Sequence, residues 1–448
     1  MTDEKQTIEL MNIAENLVTF GRVHGADEVE VAISEGTEFN VDIRLGEIES
    51  LTEAGSKIIG IRVIKDMKTA YATSSDFKKR TLQNLVKSAI YRTTLADADE
   101  CSGLPPAPEP IPDIDSLDIY DPEIPELDSQ KKIKLAKETE NIALADPRIT
   151  NSHGASFETR EIQTILANSN GFLQKYNETF CSLSIGLQAG DTDFKVEDYW
   201  ESSKRHLKSL ESPEIIARKA IERTVRHLNP KKIPTKTVPV VFEPLMTSWL
   251  LGFLFSCVSG ISVYLKASFL TDKMNEKIAN EGITIIDDGL IPGKLGTRPF
   301  DSEGVPCGKT IVIDKGILRN FLCNSYAARK LKLQSTGNAD GAGVGPNNFY
   351  LQPGIKTPEE IIASLEEGLI LTRTIGHGLN PITGDISRGA FGLWVEKGEI
   401  VYPVSEVTIS GNLGKILYDI TMIGDDLEFL SAFSGPTIKI KELTVSGQ

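Results

Sequence analysis

The chain has 448 residues, with 48 Lys and Arg against 63 Asp and Glu, a net charge of −15 and a pI near 5.0. Phosphate binding rests on Lys and Arg, so this balance argues against DNA or RNA as a primary ligand. Five His (24, 153, 206, 227, 377) and five Cys (101, 181, 257, 307, 323), with no CxxC, limit soft-metal chemistry. They fit a reducing cytoplasm without a disulfide framework.

The acidic, amphipathic N-terminus lacks a basic stretch followed by an apolar run, so no signal peptide is expected. Residues 5–23 read as a helix, because Ile8, Met11, Ile13, Ala14, Leu17, Val18 and Phe20 recur at helical spacing before His24-Gly25. EVEVAISEG, EFNVDIRLGEIESLTE, KIIGIRVIKD and KTAYATSS then alternate apolar and polar, with turns expected at SEGT, RLGE and IKDMK. This is an antiparallel meander with one wet face. Ser74-Ser75-Asp76 offers the N-cap of a helix running to about Thr94.

Residues 102–127, SGLPPAPEPIPDIDSLDIYDPEIPEL, form an extended arm. Ile111, Ile114, Leu117, Ile119 and Tyr120 make it too apolar for a free linker, so it should pack along a surface. A helix over 129–145, a second β run with a turn at Asn168-Ser169-Asn170-Gly171, and a helix over 212–228 follow. Pro, Lys and a break in periodicity coincide at 229–234, which divides the chain into an N-terminal domain (1–230) and a C-terminal domain (231–448). The order of elements predicts an α+β fold. The first domain is a meander with flanking helices; the second is β-rich and barrel-like around a buried helix.

That helix is the uncharged run PLMTSWLLGFLFSCVSGISVYL, Pro244 to Leu265. Its length would span a bilayer. Its Ser, Thr and Gly content and its weakly charged flanks favour a core helix followed by a turn, and no membrane association is expected. Gly-rich β structure dominates thereafter, with hairpins at Asp314-Lys315-Gly316 and Lys397-Gly398 and a helix over 358–371 started by Thr357-Pro358.

Three catalytic signatures are missing: HExxH, HExxxH and GxSxG. Cys257 reads as a small core residue, while Cys307 and Cys323 border polar loops and lack a positioned base. The Gly-rich segment 335–348 fails as a phosphate loop, because no helix start and no GK[ST] follow it. It reads either as a surface loop or as a cleft wall that pairs with an extended peptide. The cleft reading nominates Thr336, Gly337, Asn338, Gly341, Gly343 and Asn348. His377, between two Gly, and Ser387 and Arg388 just beyond it complete the candidate set. Asp287-Asp288 and Asp425-Asp426 suit turns better than a shared metal, since neighbours on a strand face opposite ways.

IIDDGLIPGKLGTRPFDSEGVP, STGNADGAGVGPNNFYLQPG, GLNPITGDISRGAFGLWVEKGEIVYPV, VTISGNLGKILYDITMIGDDLEF and the early LGEIESLTEAGSKIIGIRVIKD resemble the TldD/PmbA family, once called modulators of DNA gyrase. The resemblance spans nearly the whole chain. One branch of that family carries HExxxH on the helix before the DDG segment, with a late Cys as a further zinc ligand. The corresponding run here, Leu251–Ser256, has no His or Glu, and no Cys follows Cys323. The chain thus resembles the PmbA (TldE) branch, for which TGDISRGAFGLWVE is typical. The resemblance implies a non-catalytic subunit of a cytoplasmic zinc metallopeptidase heterodimer, without a cofactor of its own. A TldD-like paralogue would supply the zinc, and this chain would help enclose a cavity and hold extended or unfolded peptide. A homodimer, a stand-alone scaffold acting on gyrase or toxin components, and a self-contained hydrolase using Cys307, Cys323 or His377 are the alternatives.

Overall fold

The computed structural model describes residues 2–106, 109–190 and 194–447. Its first half holds α1 (Thr2–Val23), β1 (Glu28–Arg44), β2 (Glu47–Lys65), β3 (Lys68–Ser74), α2 (Lys79–Thr93), α3 (Ser129–Leu144), β4 (Ile149–Asn168), β5 (Leu173–Gly190), β6 (Lys195–Lys204) and α4 (Pro213–Val225). The six strands form one antiparallel sheet in the order β3-β2-β1-β4-β5-β6. Alternation along β1 sends Val29, Val31 and Ile33 into one core with Leu10 and Leu17 of α1 and Val86 of α2. Farther along, Phe39, Val41 and Ile43 enter a second core with Ala136 of α3 and Ile216 and Ala220 of α4. Between the two cores, Gly36 brings the chain so close to β4 that an added Cβ would sit 2.3 Å from the Glu161 carbonyl oxygen.

The arm crosses the sheet at that gap. Thr179 N donates to Ile119 O (3.0 Å) and Tyr120 Oη to Glu161 (2.7 Å), and Leu117 and Ile119 are buried. The arm packs as expected, with one short helical turn at Asp115–Leu117; its residues 107 and 108 lie outside the described residues.

The second half holds β7 (Lys236–Phe242), α5 (Pro244–Val258), α6 (Gly260–Tyr264), β8 (Ile285–Asp288), β9 (Lys309–Asp314), β10 (Ile317–Leu318), α7 (Ser325–Leu331), β11 (Ala339–Asp340), β12 (Gly343–Val344), β13 (Asn348–Leu351), α8 (Pro358–Ala363), β14 (Glu367–Ile375), β15 (Leu379–Asn380), β16 (Asp385–Glu396), β17 (Glu399–Asn412), α9 (Leu413–Asp419), β18 (Ile420–Ile423), β19 (Phe433–Ser434) and β20 (Ile438–Ser446). Strands β14, β7, β20, β17 and β16 close on themselves as a five-stranded barrel through the β14–β16 pairing. A second sheet, β10-β9-β8-β13-β19, lies beside it, and α5 packs against both. Both regions therefore carry the α+β architecture expected.

Four local expectations need correction. SEGT is no turn: β1 runs unbroken through it, because both β2 and β4 pair with it there. Helix α2 starts at Lys79, and Asp76 serves it from outside by accepting from Lys78 N (3.0 Å) and Thr81 Oγ1 (2.8 Å). The helix expected over 358–371 stops at Ala363, because Gly368–Leu371 are needed as a buried barrel strand between β7 and β16. Asp287-Asp288 lie on the buried strand β8, not in a turn. The long apolar run is broken at Ser259 into α5 and α6, and no helix among the described residues is long and apolar enough to cross a membrane.

Helix α7 pins the arm to the C-terminal half. Arg329 donates to the carbonyls of Cys101 (3.1 Å), Gly103 (2.9 Å) and Leu104. Arg329→Ala should cost about 2 kcal/mol through these lost charge-assisted bonds. Faster amide exchange and proteolysis around 101–106 would register it; unchanged protection would show the arm to be held otherwise.

Candidate functional site at the seam between sheet and barrel

Helix α5 is buried on most of its circumference. Trp249, Gly252 and Ser256 lie at i, i+3 and i+7, on one face, and are only half-buried. Arg388 sits over Trp249, 5.2 Å from the ring centroid. Gly252 lies beside Phe433, which packs edge-on against Phe255 (5.5 Å) and Phe349 (6.0 Å). Indole, hydrogen and hydroxymethyl are not the side chains of a zinc centre. Among the described residues no group of three or more His, Cys, Asp and Glu comes together to hold a metal. The residues present do not fit zinc.

Next to this helix, the Gly-rich segment is folded onto a buried carboxylate. Asp287 accepts from Asn338 Nδ2 (2.7 Å), Asn347 N (2.9 Å) and Asn347 Nδ2 (2.9 Å). Burial pushes its carboxyl up to about 6 against the pull of these donors. Asn348 Nδ2 donates to Asp288 O (2.7 Å) and to Thr297 Oγ1 (2.9 Å). Gly296 is required opposite, since an added Cβ would lie 2.2 Å from Asn347 O.

A pocket of about 420 Å³ opens where the far face of the six-stranded sheet meets these loops. Arg160, Tyr176, Glu178 and Arg205 form the sheet wall; Leu295 to Arg298, Pro346 and Ala432 form the other. Arg205 staples the walls: it pairs with Glu178 (2.7 Å) and donates to Leu295 O (2.7 Å). The sheet face running away from the pocket is polar. Asp42, for instance, accepts from Ser50 (2.5 Å) and Ser156.

The nominated residues fall into two groups. Asn338 and Asn348 are fully buried, with side chains spent on the internal network; Gly337 is buried, and Thr336 donates to Asn338 Oδ1 (2.6 Å). Gly341 and Gly343 form the tip of the small β11–β12 hairpin. His377 is exposed between β14 and β15, and Ser387 is exposed on β16 beside the partly buried Arg388. No hydrogen bond joins the two groups among the described residues. Asp287, Asn347, Arg298 and Arg160 were missed. A signal existed for Asn347 only as part of a Pro-Asn-Asn run after the glycines; Arg160 lies in an ordinary alternating strand.

The two thiols of the hydrolase alternative are buried, whereas its His377 is exposed. Burial pushes the Cys307 and Cys323 thiols up to about 12, so both stay protonated and poorly nucleophilic. His227 is buried with Nε2 3.1 Å from Thr372 Oγ1, and burial drops it to about 3.

Fold and site together define a class: an α+β protein with a polar open sheet beside a barrel whose packed helix α5 carries no His, Asp or Glu and keeps its one Cys, Cys257, buried. Family profiles sharpen this. PmbA/TldA metallopeptidase domain 1 matches residues 29–91, the central domain 122–228 and the C-terminal domain 235–447. Metalloprotease PmbA of Escherichia coli O157:H7 is 35% identical over 424 residues, covering 94% of this chain and 93% of its own. A homolog from Haemophilus influenzae is 33% identical, covering 93% and 92%. A Thermotoga maritima structure named as a candidate modulator of a DNA gyrase superposes with a TM-score of 0.90 at 26% identity, covering 97% of this chain and 99% of that one. TldE from Thermococcus kodakarensis shares the fold, with a TM-score of 0.87 at 22% identity, covering 97% and 100%. The chain belongs to the PmbA/TldD metallopeptidase family.

Proposed function

We propose that this chain is a peptide-holding, non-catalytic subunit of a metallopeptidase, working with a TldD-like paralogue that supplies zinc and the general base. The observation that carries the reading is α5. Its accessible face presents Trp249, Gly252 and Ser256 where a catalytic subunit would need metal ligands. An enzyme without ligands cannot activate water through zinc. What remains useful is shape and polarity: an open polar sheet face, the exposed stretch 47–56 of β2 that extends beyond its pairing with β3, and a pocket at the seam. Extended peptides bind such surfaces through main-chain hydrogen bonds. The names of the relatives support proteolysis as the setting.

The test uses the purified full chain, alone and with a TldD-like paralogue. Alone, it should bind zinc well below one equivalent and cleave no unfolded peptide. Mixed, the pair should cleave peptides in a chelator-sensitive way. One equivalent of zinc on the lone chain, with chelator-sensitive cleavage, would overturn the proposal; so would failure of the pair to associate.

A further inference from the structure

We infer that the seam pocket is an oxyanion site that takes a carboxylate, with Arg160 and Arg298 as its recognition groups. The lining carries three guanidinium groups, Arg160, Arg205 and Arg298, against one carboxylate, Glu178, in a chain of net charge −15. Arg205 neutralises Glu178 and is otherwise spent on carbonyls. That leaves two cations. Arg298 donates through Nε to Asn347 Oδ1 (3.0 Å) and through Nη1 to Ala339 O (3.2 Å), while its Nη2 is buried without a hydrogen-bond partner. No carboxylate forms an ion pair with it among the described residues. Asp301, Asp340 and Asp287 lie near enough to feel its charge, though among the described residues none of them bonds to it directly, and Asn347 bridges it to Asp287.

Such a group is costly to leave unmatched, since a desolvated donor loses water without replacing it. An arriving oxyanion supplies a direct acceptor and forms the charge-assisted bonds for which guanidinium geometry is suited. Arg160 faces the pocket from β4 with half its side chain exposed and pairs with Glu158 at 2.5 Å. It can exchange that surface partner for a ligand at little cost, because exposed pairs contribute little. A volume of about 420 Å³ admits the last one or two residues of a peptide.

The chemistry is shared by a peptide's C-terminal carboxylate and by small free oxyanions. The first source rests on the peptide-holding reading above; the site itself does not. The test measures binding of a fluorescent unstructured peptide to the full chain, as free acid and as C-terminal amide, with inorganic phosphate as competitor. The free acid should bind at least tenfold more tightly than the amide. Arg160→Gln should erase that difference, as should Arg298→Met, while Arg298→Lys should retain part of it. Arg160 is exposed enough that its variant keeps the fold. Equal affinity for acid and amide overturns the pocket and leaves the peptide reading intact. If neither peptide binds, but phosphate raises the melting temperature of the parent and not of Arg160→Gln, the oxyanion site stands and peptide holding is refuted. If phosphate also has no effect, the site is refuted.

Discussion

Replacing Arg62 by Met is expected to cost about 3–5 kcal/mol, the toll of stranding buried charge. Arg62 links the sheet to the C-terminal half: its Nη2 pairs with Glu30 (2.9 Å) and its Nη1 with Glu303 (2.9 Å), all nearly inaccessible. Glu303 in turn accepts from Ser325 N (2.8 Å) at the start of α7. One guanidinium thus serves two carboxylates, with Asp301 close by, and burial pushes Glu30 up to about 7 despite its partner. The sign of the pH effect follows. A carboxyl raised in the folded state binds a proton that the unfolded chain has lost, so its contribution is complete below about pH 4.5 and vanishes as pH rises to about 7. Asp287 and Asp301, both raised to about 6 by burial, act in the same direction. Denaturant midpoints should therefore fall between pH 5 and pH 8. Glu30→Gln should flatten that slope, and Arg62→Met should be more damaging at pH 8 than at pH 5. A slope unchanged by Glu30→Gln would remove this carboxyl from the account.

Asp287→Ala should cost about 3–4 kcal/mol, because three donors lose their acceptor in a place water cannot reach. The damage should be local in its first appearance. The loop 336–348 is tied to β8 through Asn338 and Asn347, so its amides should lose hydrogen-exchange protection well before the barrel does. Asn347→Ala should reproduce part of the effect and also free Arg298 Nε. If loop exchange is unchanged in Asp287→Ala, the carboxylate does not organise the segment.

This second case marks where reading from residues alone stops. The glycines of the run 335–348 are compatible with a surface loop and with a cleft wall alike. The structure buries Gly337–Ala339 and Asn347–Asn348, holds them by amide side chains to a carboxylate some 50–60 residues earlier in the chain, and leaves Asp340–Ala342 exposed. Nothing local in Asn338 or Asn348 distinguishes a side chain that faces a ligand from one that faces a buried strand. The same holds for the seam pocket. Arg160 and Arg298 are 138 positions apart and meet only because the barrel docks on the sheet.

What the sequence by itself determined is what local physics encodes: the alternation that makes β1 to β6 a one-sided sheet, the helical periods of α1 to α4, the tight Gly turns of the hairpins, and the missing ligands on α5. Each depends on neighbours within a few positions, so each is legible. Where strands continue, as at Ser34–Thr37, or where a helical stretch is claimed by a barrel, as at 367–371, pairing with distant strands outweighed local preference. The pocket, the Arg62 latch and the Asp287 hub were decided by tertiary structure alone. They are made of charges and amides whose energies depend on burial and on partners far along the chain.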